Sequence, residues 1–354
     1  MVVQPEILAT LYLPLSAAVF VGSALLTRLM IRINIPDHPN HRSSHTEATP
    51  KGGGLAIAVV FCLALLVVGL VGDDTGPGST ELVAFGVIAS LVAIFFLLDD
   101  ISNFAALAKL LGQICAAWAF VVAAGHVDRL WLPGLGMLEF GFWGYPLTML
   151  WIVGFMNTFN CLDGVHGLAG GGALVAAVFL ALIAYVSGST LVFLCCLLLF
   201  AATLGFFIFN FPGGRIFMGD VGSQFIGFVF AGLAVLGAVL ESGRISFYVV
   251  PILFYGFIFD FALTVLVRFA RGRDILRPHR GHLFQICHRL GLSPLRICSI
   301  HLGLFLLNGS AAMLAQWGEP WQRLYVVLLL LPVHGTYAAI VYRAGARRGL
   351  LQDF

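Results

Sequence analysis

Apolar runs of near membrane-crossing length alternate along the chain with short polar interruptions. They predict eleven helical spans, over about 7–31, 53–72, 81–98, 104–125, 141–157, 168–187, 190–209, 223–240, 247–268, 297–316 and 324–343. The fifth is the least regular, because Gly and Pro interrupt it. One interruption differs from the rest. The third run ends in Asp99-Asp100, another begins at Phe104, and Lys109 lies about one turn into it. Adjacent acids at a membrane boundary need a partner. A hard divalent cation such as Mg²⁺ suits them, since it takes one or two carboxylates plus phosphates. A solvated helix cap is the plainer reading of the same pair.

Composition strengthens the membrane reading. The 354 residues are 60% hydrophobic and 10% charged, with 41 glycines, and the mean hydropathy is +0.99. The expected class is therefore an all-α, polytopic integral membrane protein, folded as one domain over 1–354. Glycine at this frequency suits closely packed membrane helices. A formal net charge of +2 gives no reason to expect a nucleic-acid partner. The seven cysteines show no CxxC pairing, which points away from zinc or a disulfide framework. The first positive charges, Arg28 and Arg32, follow the first apolar run, so that run reads as an uncleaved span.

Charge then sets an expected orientation. With the N-terminus outside, all but Arg129, Arg244 and Arg323 of the 19 Lys and Arg residues fall on the cytoplasmic side. The C-terminus is then cytoplasmic. The mixed polar clusters also gather on that side, in loops of about 32–53, 99–103, 157–167, 210–222 and 269–296. The outer loops are short, and Asp73-Asp74 in one of them reads as a solvated turn. A secondary transporter would need polar groups near the bilayer midplane. Only Asp260, Asn308 and His334 lie deep, so a cytoplasmic-face active site is the stronger expectation.

The clusters carry recognisable chemistry. In the first loop, Lys51 beside Gly52-Gly53-Gly54 suits close backbone approach to phosphate, and Arg42 can clamp an oxyanion. The spacing of His38, His41 and His45 also admits zinc, though no Cys is near. Lys109 can snorkel, pair with the acids, or hold a lipid phosphate. Asn157, Asn160 and Asp163 recur every three residues, so a helical end would stack them along one edge. They read either as ligand-binding groups or as interhelical hydrogen bonds. Phe217-Met218-Gly219-Asp220-Val221-Gly222-Ser223 supplies a third acid at a glycine-rich helix start, a ready anion site. An N-capping Asp220 is the alternative. Asp260 reads as a buried structural acid or as a residue acting from behind the site. His279, Arg280 and His282 suit a diphosphate.

Taken together, Pro39-Asn40-x-Arg42-Ser43-Ser44-His45, Thr49-Pro50-x-Gly52-Gly53, Asp99-Asp100, Asn157-x-x-Asn160-x-x-Asp163-Gly164, Phe217-Met218-Gly219-Asp220-x-Gly222-Ser223 and His279-Arg280-x-His282 resemble a known set in its expected order. The chain is similar to the polyprenyl-phosphate N-acetylhexosamine-1-phosphate transferases of glycosyltransferase family 4. The first loop and the His-Arg-x-His form resemble the O-antigen-initiating branch more than the peptidoglycan-precursor branch, the phospho-MurNAc-pentapeptide transferases.

The resemblance implies transfer of an N-acetylhexosamine 1-phosphate from a UDP-N-acetyl sugar to undecaprenyl phosphate, releasing UMP, at the bacterial inner membrane. It implies Mg²⁺, with Mn²⁺ as the alternative ion, a membrane-lipid environment and a homodimer. Asp220 is the implied metal ligand, Asp99 and Asp100 lie beside the diphosphate, and Lys109 helps to hold phosphate. Asn160, Asp163 and Phe217 shape the uridine site, with Phe217 stacking the base, and Asn157 is a further substrate-binding residue. His279, Arg280 and His282 contact diphosphate or sugar. One departure stands out: His166 occupies the position of the family's second Asp in Asp-Gly-x-Asp-Gly, near the expected base.

Overall fold

The apolar runs fold as helices because backbone groups in hydrocarbon must be satisfied within their own segment. The computed structural model describes residues 5–37, 49–71, 79–132, 135–240, 244–274 and 279–351. Arg42, the His38, His41 and His45 set, and Asp73-Asp74 lie outside the described residues. The first eight major helices are α1 (Leu8–Ile33), α2 (Gly53–Val71), α3 (Ser79–Ser102), α4 (Ala106–Ala124), α5 (Gly144–Cys161), α6 (Leu168–Ser187), α7 (Thr190–Asn210) and α8 (Gly219–Val239). The rest are α9 (Val249–Leu253), α10 (Tyr255–Ala270), α11 (Leu283–Arg289), α12 (Pro294–Trp317) and α13 (Gln322–Arg347).

Each of the eleven predicted stretches is helical. Among the described residues, eight helices are long and apolar enough to cross a membrane: α1, α3, α4, α6, α7, α8, α12 and α13. Of the helices in the other three stretches, α5 is less apolar and α10 is shorter, while α2 is apolar along its 19 residues. The ninth stretch is also divided, into α9 and α10. The fifth tolerates its proline because Pro146 sits in the first turn of α5, where a missing N–H costs nothing. Leucines such as Leu107, Leu150, Leu314 and Leu329 stand exposed on the bundle surface, as side chains facing lipid do. The protein is thus an all-α polytopic membrane protein, with two small antiparallel pairs that the apolar pattern did not announce. These are β1 (Pro36–Asp37) with β2 (Thr49–Pro50), and β3 (Arg129–Leu132) with β4 (Gly136–Glu139).

The bundle is organised on α8. Every residue from Val221 to Gly237 is buried, and α8 packs against α2, α3 and α5. Phe228 meets Phe85 of α3 and Phe120 of α4 at ring-centroid distances of 5.7 and 5.8 Å. Close approach of α2 and α8 depends on glycine. A Cβ on Gly54 would lie 2.1 Å from the Cα of Gly222. Because the helices alternate in direction, one end of the bundle collects the C-terminal ends of α3, α5 and α7 and the N-terminal ends of α2, α4 and α8. The predicted polar clusters at residues 99–103, 157–167 and 210–222 lie there.

Candidate active site

The acid pair keeps α3 helical one turn further than predicted, because both carboxylates have partners inside the protein. The helix ends at Ser102, and Asn103 turns into the left-handed region with φ +51°. Asn103 therefore does not continue the helix. The reversal lets the Phe104 amide donate to Asp99 Oδ1 at 2.9 Å, and it returns the chain into α4 with Lys109 facing the acids.

Lys109 is shared. Its Nζ lies 2.6 Å from Asp99 Oδ2 and 2.8 Å from Asp220 Oδ2. Asp99 is buried, while Lys109 and Asp220 keep side-chain exposures of 31% and 32%, so the pair opens to one side. Asn160 of α5 donates to Asp220 Oδ1 at 2.9 Å and to Ser223 Oγ at 2.8 Å. Asp220 is not the cap of α8. Asp100 does that work, accepting from the amides of Asp220 at 3.2 Å and Val221 at 3.0 Å. The contact requires glycine at position 219, which has φ +78°; a Cβ there would lie 2.8 Å from Asp100 Oδ2. With its helix end capped from α3, α8 begins four residues earlier than predicted, and the Asp220 carboxylate is left for side-chain chemistry.

The described flank of the first loop is stitched to the same place. Phe217 N donates to Pro50 O at 2.8 Å, Gly53 N to Phe217 O at 3.0 Å and Gly54 N to Met218 O at 2.8 Å. Lys51 is thereby held where its charge attracts Asp100. Lys51 and Lys109 are the only lysines in the sequence, and both belong to this site.

Two further groups adjoin it. His166 stacks on Phe217, with ring centroids 4.0 Å apart and planes 12° from parallel. Asn210 fixes this pair: it accepts from Gly167 N at 2.8 Å, donates to Ile216 O at 2.9 Å and meets His166 Nδ1 at 3.2 Å. Asp163 lies just past the end of α5, its amide donating to Asn160 O at 3.2 Å. The second group is the histidine loop. His282 is buried, 3.6 Å from Asp260 Oδ1, and lies near Cys161, the residue after Asn160. Burial alone would favour the neutral ring, but the Asp260 carboxylate outweighs it and pushes His282 up to about 10. His279 lies 5.1 Å from His282, ring to ring, and with Arg280 it is only partly buried.

The structure thus brings together Asp99, Asp100, Lys109, Asn160 and Asp220, with Lys51 beside them. It pairs His166 with Phe217, and it turns His282 inward to Asp260. Asn157 bonds Gln113 and the Val153 carbonyl. The residues not singled out by the sequence are Gln113, Gln224 and Asn210. The signal for the first two was spacing, since each stands four residues after Lys109 or Asp220.

The donor set fits a hard cation. Three carboxylates face two lysines, so negative charge remains in excess. Among the described residues no three His, Cys, Asp or Glu side chains are grouped so as to hold a metal ion by themselves. A hard cation such as Mg²⁺ would take few of these carboxylates and complete its shell with substrate phosphates and water.

The family model for glycosyl transferase family 4 matches residues 82–238, which hold all of α3 to α8 save the first residues of α3 and the last of α8. The probable undecaprenyl-phosphate N-acetylglucosaminyl 1-phosphate transferase of Bacillus subtilis (strain 168) is 31% identical over 316 residues, 88% of this chain and 86% of that protein. The undecaprenyl-phosphate alpha-N-acetylglucosaminyl 1-phosphate transferase of Escherichia coli (strain K12) is 27% identical over 86% of this chain and 83% of its own. A phospho-N-acetylmuramoyl-pentapeptide-transferase of Lactiplantibacillus plantarum is 33% identical over only 54% of this chain. This chain belongs to glycosyl transferase family 4.

Proposed function

We propose that the protein transfers N-acetylglucosamine 1-phosphate from UDP-N-acetylglucosamine to undecaprenyl phosphate, releasing UMP, as the first membrane step of O-antigen or another cell-envelope polysaccharide. The observation that carries this reading is Lys109 shared by Asp99 and Asp220 at the polar end of the bundle. The breadth of similarity to the two N-acetylglucosaminyl 1-phosphate transferases favours that donor. The positive-inside count favours a cytoplasmic position for this end, on the side where nucleotide sugars are made.

In the reaction, an oxygen of the lipid phosphate bonds to the sugar-bearing phosphorus. The bond from that phosphorus to the bridging oxygen breaks, and its electron pair leaves with UMP. Catalysis of this kind is mostly positioning and charge neutralisation. Mg²⁺ held by Asp220 would neutralise phosphate charge during the transfer. Lys109 orients Asp220 and offers its ammonium to an incoming phosphate. Asp100 fixes the α8 start, where backbone amides favour anions. Lys51, His279 and Arg280 supply further positive or hydrogen-bonding groups for the diphosphate. Asn160 and Asp163 line the way to the nucleotide, whose base stacks on the His166–Phe217 pair.

The test is UMP release by purified protein in detergent, with undecaprenyl phosphate, Mg²⁺ and a panel of UDP-N-acetylglucosamine, UDP-N-acetylgalactosamine and their 6-deoxy relatives. Metal-dependent release dominated by UDP-N-acetylglucosamine is expected. No release with any donor, from folded protein, would overturn the reading. Dominance of another sugar would overturn the donor assignment alone.

A further inference from the structure

Lys109, Asn160 and Asp220 come from three different helices, yet they meet within 2.9 Å of one another through Asp220. Something must set the rotation of those helices. Each carries one amide side chain a single turn deeper: Gln113 follows Lys109 by four residues on α4, Gln224 follows Asp220 by four on α8, and Asn157 precedes Asn160 by three on α5. Residues three and four apart share a helix face. The deeper amides therefore repeat the arrangement of the charged groups above them.

They also bond to one another. Asn157 Nδ2 donates to Gln113 Oε1 at 2.8 Å, and Gln113 Nε2 donates back to Asn157 Oδ1 at 3.3 Å. Gln113 Nε2 donates in addition to Gln224 Oε1 at 2.9 Å. Gln113 and Gln224 are 1% and 2% exposed. A reciprocal amide pair fixes orientation more narrowly than apolar contact does, because hydrogen bonds weaken steeply with angle.

We propose that Gln113, Asn157 and Gln224 are positioning residues for the transferase reaction: an amide tier that locks the rotation of α4, α5 and α8, and so the placing of Lys109, Asn160 and Asp220. The inference rests on the function proposed above for that site. The geometry gives the size of the effect. Side-chain tips stand roughly 5–6 Å from a helix axis, so a turn of roughly 10° moves them by about 1 Å, and a misplacement of that order can cost up to about a hundredfold in rate.

The experiment compares wild type with Gln113→Met, which keeps the side chain's length and removes its hydrogen bonds. Gln224→Met serves as the second variant should the first fail to fold. Three quantities are read on protein of verified thermal midpoint: kcat and KM for UDP-N-acetylglucosamine, and the rates at which an amine-reactive acetylating reagent labels Lys109 and Lys51, resolved by peptide mass spectrometry. The labelling needs no turnover, and the two lysines are each other's control. The expected result is a fall in kcat of about tenfold or more with KM held within about twofold, and labelling of Lys109 at least about threefold faster while Lys51 is unchanged. A variant with wild-type kcat and wild-type Lys109 labelling would overturn the proposal. So would equal acceleration at both lysines with a lowered midpoint, since that is general loosening. Selective exposure of Lys109 in a protein whose wild type turns over no donor would uphold the tier and overturn the proposed reaction instead.

Discussion

Two acids in this bundle, Asp220 and Asp260, meet opposite fates. Asp260 is 3% exposed. Both its oxygens accept from the Leu283 amide, at 3.0 and 3.1 Å, and Oδ1 also takes Thr264 Oγ1 at 3.3 Å and faces His282. One buried anion faces one imidazolium and two hydrogen-bond donors, with no charge left over to attract a ligand. The cavity bordering Asp260, His301, Asn308 and His334 is only about 10 Å³, room for about one water. Asp220 instead shares its lysine with a second carboxylate, lies beside a third, and stays one-third exposed. A buried acid with its own matched cation marks a structural group, and a charge deficit open to one side marks a site. That difference also separates the enzyme reading from the transporter reading, since the deep polar groups are satisfied among themselves.

The sharpest way to break the comparison is to neutralise each acid in turn. Asp220→Asn should lower UMP release by about a thousandfold or more, with little loss of thermal midpoint, because the amide keeps the Asn160 and Lys109 neighbourhood filled. Asp260→Asn should do the reverse. It leaves His282 buried beside a neutral partner, the kind of broken pair that costs about 3–5 kcal/mol, and midpoint should fall while activity of the folded fraction stays within a few-fold. If Asp260→Asn instead abolished turnover of folded protein, the division between the two acids would fail.

A smaller effect follows from pH. His282 is held at about 10 in the folded protein, above the ordinary histidine value of about 6.5. The stabilisation from its protonated form is therefore complete below about pH 6.5 and is lost as pH rises through about 10. Thermal midpoints measured from pH 6 to pH 10 should fall for wild type more steeply than for Asp260→Asn, which lacks the partner that raises the ring. Parallel slopes would sink the assignment.

Much of this was legible in the chain, and the remainder was not for a physical reason. Helix positions follow from apolar run length, a local property. The Asp99–Asp100 interruption announced the site because carboxylates at the end of a greasy run need an explanation, and the Lys109 partner lay within ten residues. The start of α8 was misplaced because its cap comes from Asp100, 120 residues earlier, and no local signal carries that. The inward turn of His282 was hidden likewise, because its partner Asp260 belongs to a different helix. The amide tier could have been found from its four-residue spacing behind Lys109 and Asp220. What sequence alone could not supply was that α4, α5 and α8 meet.

The smallest effect concerns the base. Phe217 is 9% exposed, and His166 covers one of its faces at 4.0 Å. On the proposed reading, the imidazole, itself only partly buried, is the aromatic surface that a nucleotide meets first, with Phe217 as its backing. Aromatic pairs of this kind contribute about 0.5–1.5 kcal/mol beyond area burial, which corresponds to roughly 2- to 12-fold in affinity. His166→Ala should therefore raise KM for UDP-N-acetylglucosamine within that range and leave kcat unchanged, since the groups proposed to hold the reacting phosphates are others. The loop itself should survive, because Asn210 still holds Gly167 N and Ile216 O. A lowered KM would mean that the base displaces His166 to reach Phe217 directly, and the order of the stack would have to be reversed.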